Sequence, residues 1–174
     1  ENLEIYNSKN RYKDLFFALS HGVNFGDLKR RKTDEREIII DNLMKKFPKI
    51  NYNFLGIANE KPKWNYDFFD ELLKTKMALN LSRGKPLKYT SSNRIAALAG
   101  NGIYTFIDEK TRFKDFFNEN EVGSYKNLDD LGNKIEKLKS NPNLINKYGK
   151  AGRDKYFRLF NTKKISKRII DIVF

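Results

Sequence analysis

The 174-residue sequence contains no cysteine. That removes disulfide frameworks, thiolate zinc sites and a cysteine nucleophile, and it is compatible with a reducing compartment. A single histidine cannot build a histidine-rich metal site. No apolar run approaches the ~18 residues needed to span a bilayer. The opening Glu1-Asn2-Leu3-Glu4 has neither the basic start nor the apolar core of a signal peptide. A cytoplasmic protein is expected. The first residue is not Met, so a piece of a longer chain is expected as well. The Gly-x-Gly-x-x-Gly and Gly-x4-Gly-Lys-Ser/Thr phosphate loops are missing, as are His-Glu-x-x-His, Asp-x-Asp and a Ser-His-Asp spacing. A dinucleotide fingerprint, a nucleoside triphosphate P-loop, a zincin, a carboxylate-metal sugar site and a hydrolase triad therefore have no support.

What remains is 39% hydrophobic and 14% aromatic, too apolar for a disordered tail and long enough for one domain with a real core. Lys and Arg number 35 against 22 Asp and Glu, for a net charge of +13. Such a balance has three readings: nucleic acid, an anionic membrane surface or anionic small ligands. Many of the lysines alternate with Asn and Ile and read equally well as a solvated surface. The aromatics fall in apparent core segments instead of alternating with Lys on one face, and no nucleic-acid module motif is present, which argues against nucleic acid as a partner.

Short apolar runs alternate with helical patterns. Asp14 to Ser20 reads as a strand ending at His21-Gly22. After a basic loop, Thr33 is a candidate N-cap, Ile39, Leu43, Met44 and Phe47 recur at helical spacing, and Pro48 stops the helix. Asn51 to Ile57 reads as a second strand with a helix near 66–74, and Met77 to Ser82 as a third with a helix near 92–99. Ile103 to Ile107 reads as a fourth, followed by a short helix near 112–117, and Val122 to Tyr125 as a fifth. This alternation predicts an α/β fold, a Rossmann-like parallel sheet of about five strands with helices on both faces. From Asn127 the chain turns helical: Leu128, Leu131, Ile135 and Leu138 line one face, Asn141-Pro142 starts a second helix, and Ile165, Ile169 and Val173 mark a last one. A single domain over 1–174 is expected, with the sheet region in 1–126 and a helical C-terminal extension in 127–174.

Sites in open parallel sheets lie at the carboxyl ends of the strands. The candidate loops are thus His21 to Lys32, Ala58 to Asn65, Arg83 to Ser91 and Asp108 to Thr111. The third is the richest. Ser91 or Ser92 can cap the following helix, whose free N–H groups favour an anion. Arg83, Lys85 and Arg94 add positive charge, Gly84 permits close backbone approach, and Tyr89 offers a ring and a hydroxyl. The plainer account has the serines only capping, the lysines solvated and Arg94 paired with a carboxylate. In the first loop Ser20, His21, Gly22 and Asn24 supply polar contacts and a tight turn. Asp108-Glu109 reads as helix-start acids ahead of a sugar or ribose ligand, and Trp64 as packing at a loop base ahead of a stacking platform.

The order of strand, "SRGKPLKYTSSNRIAALAGNGIYTFID" and "EVGSYKNLDDLGNKIEKLKSNPNLINKYGKAGRDKY" resembles the C-terminal, donor-binding domain of GT-B glycosyltransferases. The likeness is greatest to the glycosyl transferases family 1, spore-maturation-protein-like branch, and runs from about Asp14 to Phe174. The resemblance implies that Arg94 and the turn Ser91-Ser92-Asn93 sit at the diphosphate of a nucleotide sugar. It implies further that Ser20 to Asn24 approach the same phosphates and that Arg36, or a basic residue before it, neutralises them. It implies metal-independent glycosyl transfer with a nucleoside-diphosphate sugar as donor substrate and no cofactor. The partner would be an N-terminal domain that supplies the general base and without which turnover is small. A peripheral membrane contact would follow from the basic surface. One departure stands out: the family's ribose-gripping Glu falls on Ala97. A non-catalytic Rossmann-like nucleotide- or phosphate-binding scaffold is therefore the alternative.

Overall fold

The computed structural model describes residues 11–19, 35–91 and 93–173. Within them the chain forms β1 (Lys13–Ala18), α1 (Glu35–Lys46), β2 (Tyr52–Leu55), α2 (Asn65–Leu73), β3 (Thr75–Asn80), α3 (Arg94–Gly100), β4 (Tyr104–Asp108), β5 (Gly123–Tyr125), α4 (Leu128–Lys139), α5 (Pro142–Phe160) and α6 (Thr162–Val173). All strand pairings are parallel, in the order β2-β1-β3-β4-β5. The expected Rossmann-like α/β architecture is present.

Alternation along the central strands explains the two layers of helices, because successive side chains leave a strand on opposite faces. From β1, Leu15 and Phe17 join Ile40 and Leu43 of α1, Leu131 and Ile135 of α4, and Ile145 of α5. Phe16, between them, packs on the other face with Leu72 of α2 and Leu98 of α3. All three β1 residues are fully buried, as a strand covered on both sides requires. Polar groups inside are paired. Asn53 donates to the Glu71 carbonyl at 2.7 Å and to Thr75 Oγ1 at 3.0 Å, joining β2, α2 and β3.

Element boundaries shift by a few residues from the sequence reading, and one element changes type. The helix expected near 112–117 is instead a pair of 3-10 turns, Glu109–Thr111 and Phe113–Asp115. Arg112, between them at φ 56°, adopts a left-handed conformation that an α-helix cannot contain. The Asp108 carboxylate accepts from the Lys110 amide and so caps the first turn, the expected helix-start role. The caps at Asn127 and Asn141 form as predicted, each side chain accepting an amide N–H three residues on. The spacing of Ile165, Ile169 and Val173 correctly marks α6, but its aliphatic face is exposed and none of its residues is buried.

Helix α5 is fitted to the sheet through glycine. A Cβ on Gly149 would stand 2.1 Å from the Gly102 carbonyl oxygen, where the chain enters β4, and one on Gly152 would stand 2.2 Å from the Glu121 oxygen, ahead of β5. Both obstacles are backbone. Gly149→Ala is therefore expected to lower unfolding free energy by ~1–3 kcal/mol through overpacking. Gly100→Ala, whose Cβ meets nothing within 4 Å, should be neutral or mildly stabilising; denaturant melts of the two variants check the contrast.

Candidate functional site

The strand order reverses once. The chain goes outward from β1 to β2, then returns past β1 to lay down β3, β4 and β5. Connections after β1 and β3 thus leave in opposite directions, and a crevice opens between the carboxyl ends of these strands. Arg94, the first residue of α3, lies in it. Its Nη1 donates to the Leu81 carbonyl just beyond β3 at 3.2 Å, and its guanidinium carbon lies 5.0 Å from the centre of the Phe17 ring of β1. One side chain therefore touches both banks.

The charge at this point is concentrated. Burial, and then the nearby guanidinium of Arg36 on α1, push the Arg94 pKa down to about 10. No carboxylate among the described residues pairs with Arg94. Such a site raises the local positive potential and rewards an anion that brings its own negative charge. The plainer account of Arg94, an ion pair with a neighbouring acid, is not what the described residues form.

Beside Arg94 lies a cavity of about 160 Å³ lined by Ala18, Leu19, Leu55, Pro62, Lys63, Trp64, Phe68 and Arg94. The walls come from the ends of β1 and β2 and from the β2–α2 connection. Trp64, expected as packing, is 50% exposed and forms part of this wall. Lys63 is held by Glu71 at 2.7 Å, which it shares with Lys74 at 2.9 Å.

The remaining predicted residues separate into groups. Arg36 and Arg94 are brought together. Ser91 does not cap α3: its hydroxyl accepts from the amide of Asn80, the last residue of β3, at 2.5 Å. The N-cap position belongs to Asn93, whose own backbone is helical and whose side chain makes no capping bond. At seven residues, α3 also adds little dipole of its own. The anion-attracting character of the crevice comes from guanidinium groups more than from a helix end.

Tyr89 is turned to a different task. Its amide donates to the Thr111 carbonyl at 2.7 Å, its hydroxyl to Asp115 Oδ2 at 2.9 Å, and its ring packs against Phe116. This pins the β3–α3 connection to the one after β4 and leaves the hydroxyl committed. A second cavity, of about 410 Å³, opens there between Tyr89, Ser91, Phe113, Phe116, Phe160 and Arg168. Arg83 and Lys85 project from the exposed loop, and Gly84 takes φ 72° as a glycine turn should. Ser20, His21, Gly22, Asn24 and Ser92 lie outside the described residues. Asn80, which the sequence reading passed over, helps to shape the site, and Trp64, read there as packing, forms part of a cavity wall. Asn80 sits inside an apolar run, MALNL, where a buried amide at a strand's carboxyl end was the available signal.

A parallel sheet wound in both directions, with a cationic crevice where the winding reverses, defines a Rossmann-like α/β domain. The chain belongs to the glycosyl transferase-like family, whose model matches residues 30–171. The solved structure of TarM is similar, with a TM-score of 0.63 and 12% sequence identity over 93% of this chain and 35% of the TarM chain. With that family and that fold, the chain is a glycosyl transferase-like domain built on a Rossmann-like parallel sheet. It spans 35% of the TarM chain. No curated protein matches the sequence significantly. Among the described residues no helix is long and apolar enough to cross a membrane, and no cluster of His, Asp and Glu is arranged to hold a metal ion.

The depressed Arg94 pKa carries a sign. A cation that binds its proton less tightly when folded lowers stability fully below its folded pKa, and that penalty is relieved as pH rises from about 10 toward the ordinary 12.5. Arg94→Met, which keeps the stem over Phe17 and removes the charge, is expected to leave the ligand-free domain at least as stable at neutral pH. Any stability advantage should narrow only above about pH 10, as chemical denaturation across pH will read.

Proposed function

We propose that this domain binds the nucleoside-diphosphate end of a sugar donor in the β1–β3 crevice and works in metal-independent glycosyl transfer. The observation that carries the reading is Arg94: partly buried, destabilised by Arg36 and joined by no described carboxylate, at the point where an open α/β sheet receives ligands. A diphosphate would supply the missing negative charge. Inorganic anions could do so too, but the family supplies the sugar chemistry.

In the transfer itself, the bond between the sugar anomeric carbon and the diphosphate oxygen breaks, and the oxygen keeps the electron pair. The acceptor hydroxyl forms the new bond and gives up its proton. Negative charge thus grows on the leaving diphosphate. A guanidinium already fixed between Leu81 and Phe17 stabilises that charge without having to reorganise, and this is the electrostatic part of the catalysis. The base that takes the acceptor proton, and the acceptor site, are assigned to a further domain. Alone, the present chain should bind donor weakly and turn over little.

A second reading, a non-catalytic nucleotide-binding scaffold, draws on Ala97. It stands on α3 where the resemblance expects a ribose-binding acid, and its carbonyl accepts the Asn101 side chain at 2.7 Å. A whole protein that binds donor yet transfers to no acceptor would favour it.

Nucleoside diphosphates are expected to raise the melting temperature, since a ligand at a hundred times its Kd adds ~2.7 kcal/mol of stability. Arg94→Ala should remove most of that shift. The absence of any shift with UDP, GDP, ADP or CDP at millimolar concentration would overturn the proposal.

A further inference from the structure

We propose that the second cavity, between the β3–α3 connection, the turns after β4 and helices α5 and α6, binds the hydrocarbon chain of an anionic amphiphile whose charged head rests on Arg168. At about 410 Å³ it falls within the roughly 300–1,000 Å³ of small-molecule pockets. Its apolar walls are Ile95 of α3, Phe113 and Phe116 after β4, and Tyr156, Leu159 and Phe160 of α5. Ile95 and Phe113 belong to a buried cluster with Ile107, Phe117 and Val122, so the floor of the cavity is core. Tyr89, Phe116 and Phe160 on its walls are still 47%, 38% and 38% exposed. Covering such an apolar hollow with an apolar group takes both surfaces out of water, which is what a hydrocarbon chain would gain here.

The rings around the cavity are linked to one another. Tyr89 meets Phe116 with ring centres 5.0 Å apart, Tyr156 meets Phe160 at 5.3 Å, and Phe117 stacks on Phe113 at 6.2 Å and on Phe160 at 6.4 Å. These contacts join the β3–α3 connection, the turns after β4 and the end of α5. Walls already packed in this way have little side-chain freedom left to lose when a ligand enters.

Polarity and charge select the ligand. The Tyr89 hydroxyl is committed to Asp115 and the Ser91 hydroxyl accepts from Asn80, so the lining has few polar groups to offer. The ring of hydroxyls on a sugar would go largely unpaired against such walls. The charge is positive. Arg168 lines the cavity from α6 and pairs with no carboxylate among the described residues, and Lys88 lies 4.7 Å from the centre of the Tyr89 ring. The nearby acid, Asp115, is already matched by Arg112 at 2.8 Å. A cationic ligand is repelled, and a neutral chain leaves the guanidinium unused. A chain that ends in a phosphate or carboxylate satisfies both, since guanidinium binds such groups through charge-assisted hydrogen bonds. Helix α6 extends the same pattern: Ile165 and Ile169 are exposed on one side, with Lys163 and Lys167 on the opposite side. An amphipathic helix of that kind suits the surface of an anionic bilayer, one source of such a ligand.

The full chain is titrated by calorimetry with n-alkyl phosphates from hexyl to dodecyl, below their micelle concentrations, and with dodecyltrimethylammonium and dodecyl maltoside as cationic and neutral probes. Affinity for the alkyl phosphates is expected to rise roughly fourfold per added methylene until the cavity is filled, with the ammonium binding far more weakly. Arg168→Gln, at an exposed position, should weaken dodecyl phosphate about tenfold and leave dodecyl maltoside unchanged. Phe116→Asp, which puts a carboxylate on an exposed wall, should weaken both; Phe160→Ala is the milder second variant, and circular dichroism checks that each is folded. Binding that does not grow with chain length, that favours the ammonium, or that is unchanged in Arg168→Gln or in both wall variants overturns the proposal. Self-association that Phe116→Asp abolishes and alkyl phosphates leave intact would give the cavity to a second copy and overturn it too. Vesicles of phosphatidylcholine and phosphatidylglycerol separate the sources: binding that dodecyl phosphate competes away identifies a bilayer lipid, and alkyl phosphate binding without vesicle binding identifies a free amphiphile. None of these outcomes bears on the donor crevice, whose own test uses nucleoside diphosphates.

Discussion

The structure depends on one topological constraint. An all-parallel sheet must be covered on both faces, so the chain winds helices outward from β1 and then back across it, and the two windings part between β1 and β3. At that parting lies a crevice whose banks are the last residues of two largely buried strands. Around this gap lie the guanidinium that bridges it, the amide of Asn80 that ties in Ser91, and the cavity beside Trp64.

Rigid placement explains why so few residues suffice. Phe17 cannot move because it is enclosed by α1, α4 and α5, and the Leu81 carbonyl is held at the end of a buried strand. Arg94 therefore finds a fixed ring and a fixed acceptor waiting, and little ordering remains for a ligand to complete. Arg36 approaches from the opposite face-covering helix and adds like charge, which costs stability in the empty domain. The family match supplies the chemistry that such a site would serve.

The walls around the gap are braced differently on its two sides. Tyr89, by its amide, hydroxyl and ring, joins the β3–α3 connection to the turns after β4. On the other side Gly56 and the Lys63–Glu71 pair hold the connection bearing Trp64. Helix α5 stands further off and anchors the entries to β4 and β5 through Gly149 and Gly152, where only a missing side chain allows backbone to meet backbone.

Strands and helices were legible in the sequence because burial dictates local pattern. A central parallel strand is a short apolar run, as in DLFFA, and a covering helix repeats apolar residues every three or four, as Leu128, Leu131, Ile135 and Leu138 do. The Asn127 and Asn141 caps were legible for the same local reason. Arg94 could be singled out because charge and hydroxyls at a strand's carboxyl end are chemically conspicuous. What no local pattern contains is which residues from distant segments face one another. That Arg36 and Arg94, 58 positions apart by their numbers, share one crevice is decided by helices packed on opposite faces of the sheet. That Ser91 answers to Asn80 instead of capping a helix, and that Tyr89 turns toward Asp115, depends on connections meeting only after β4 is in place. Trp64 shows the division most clearly. Its sequence is that of an ordinary loop tryptophan, and its place on a cavity wall arises only when the ends of β1 and β2 leave a cavity beside it, because strand order is set by packing across the whole sheet.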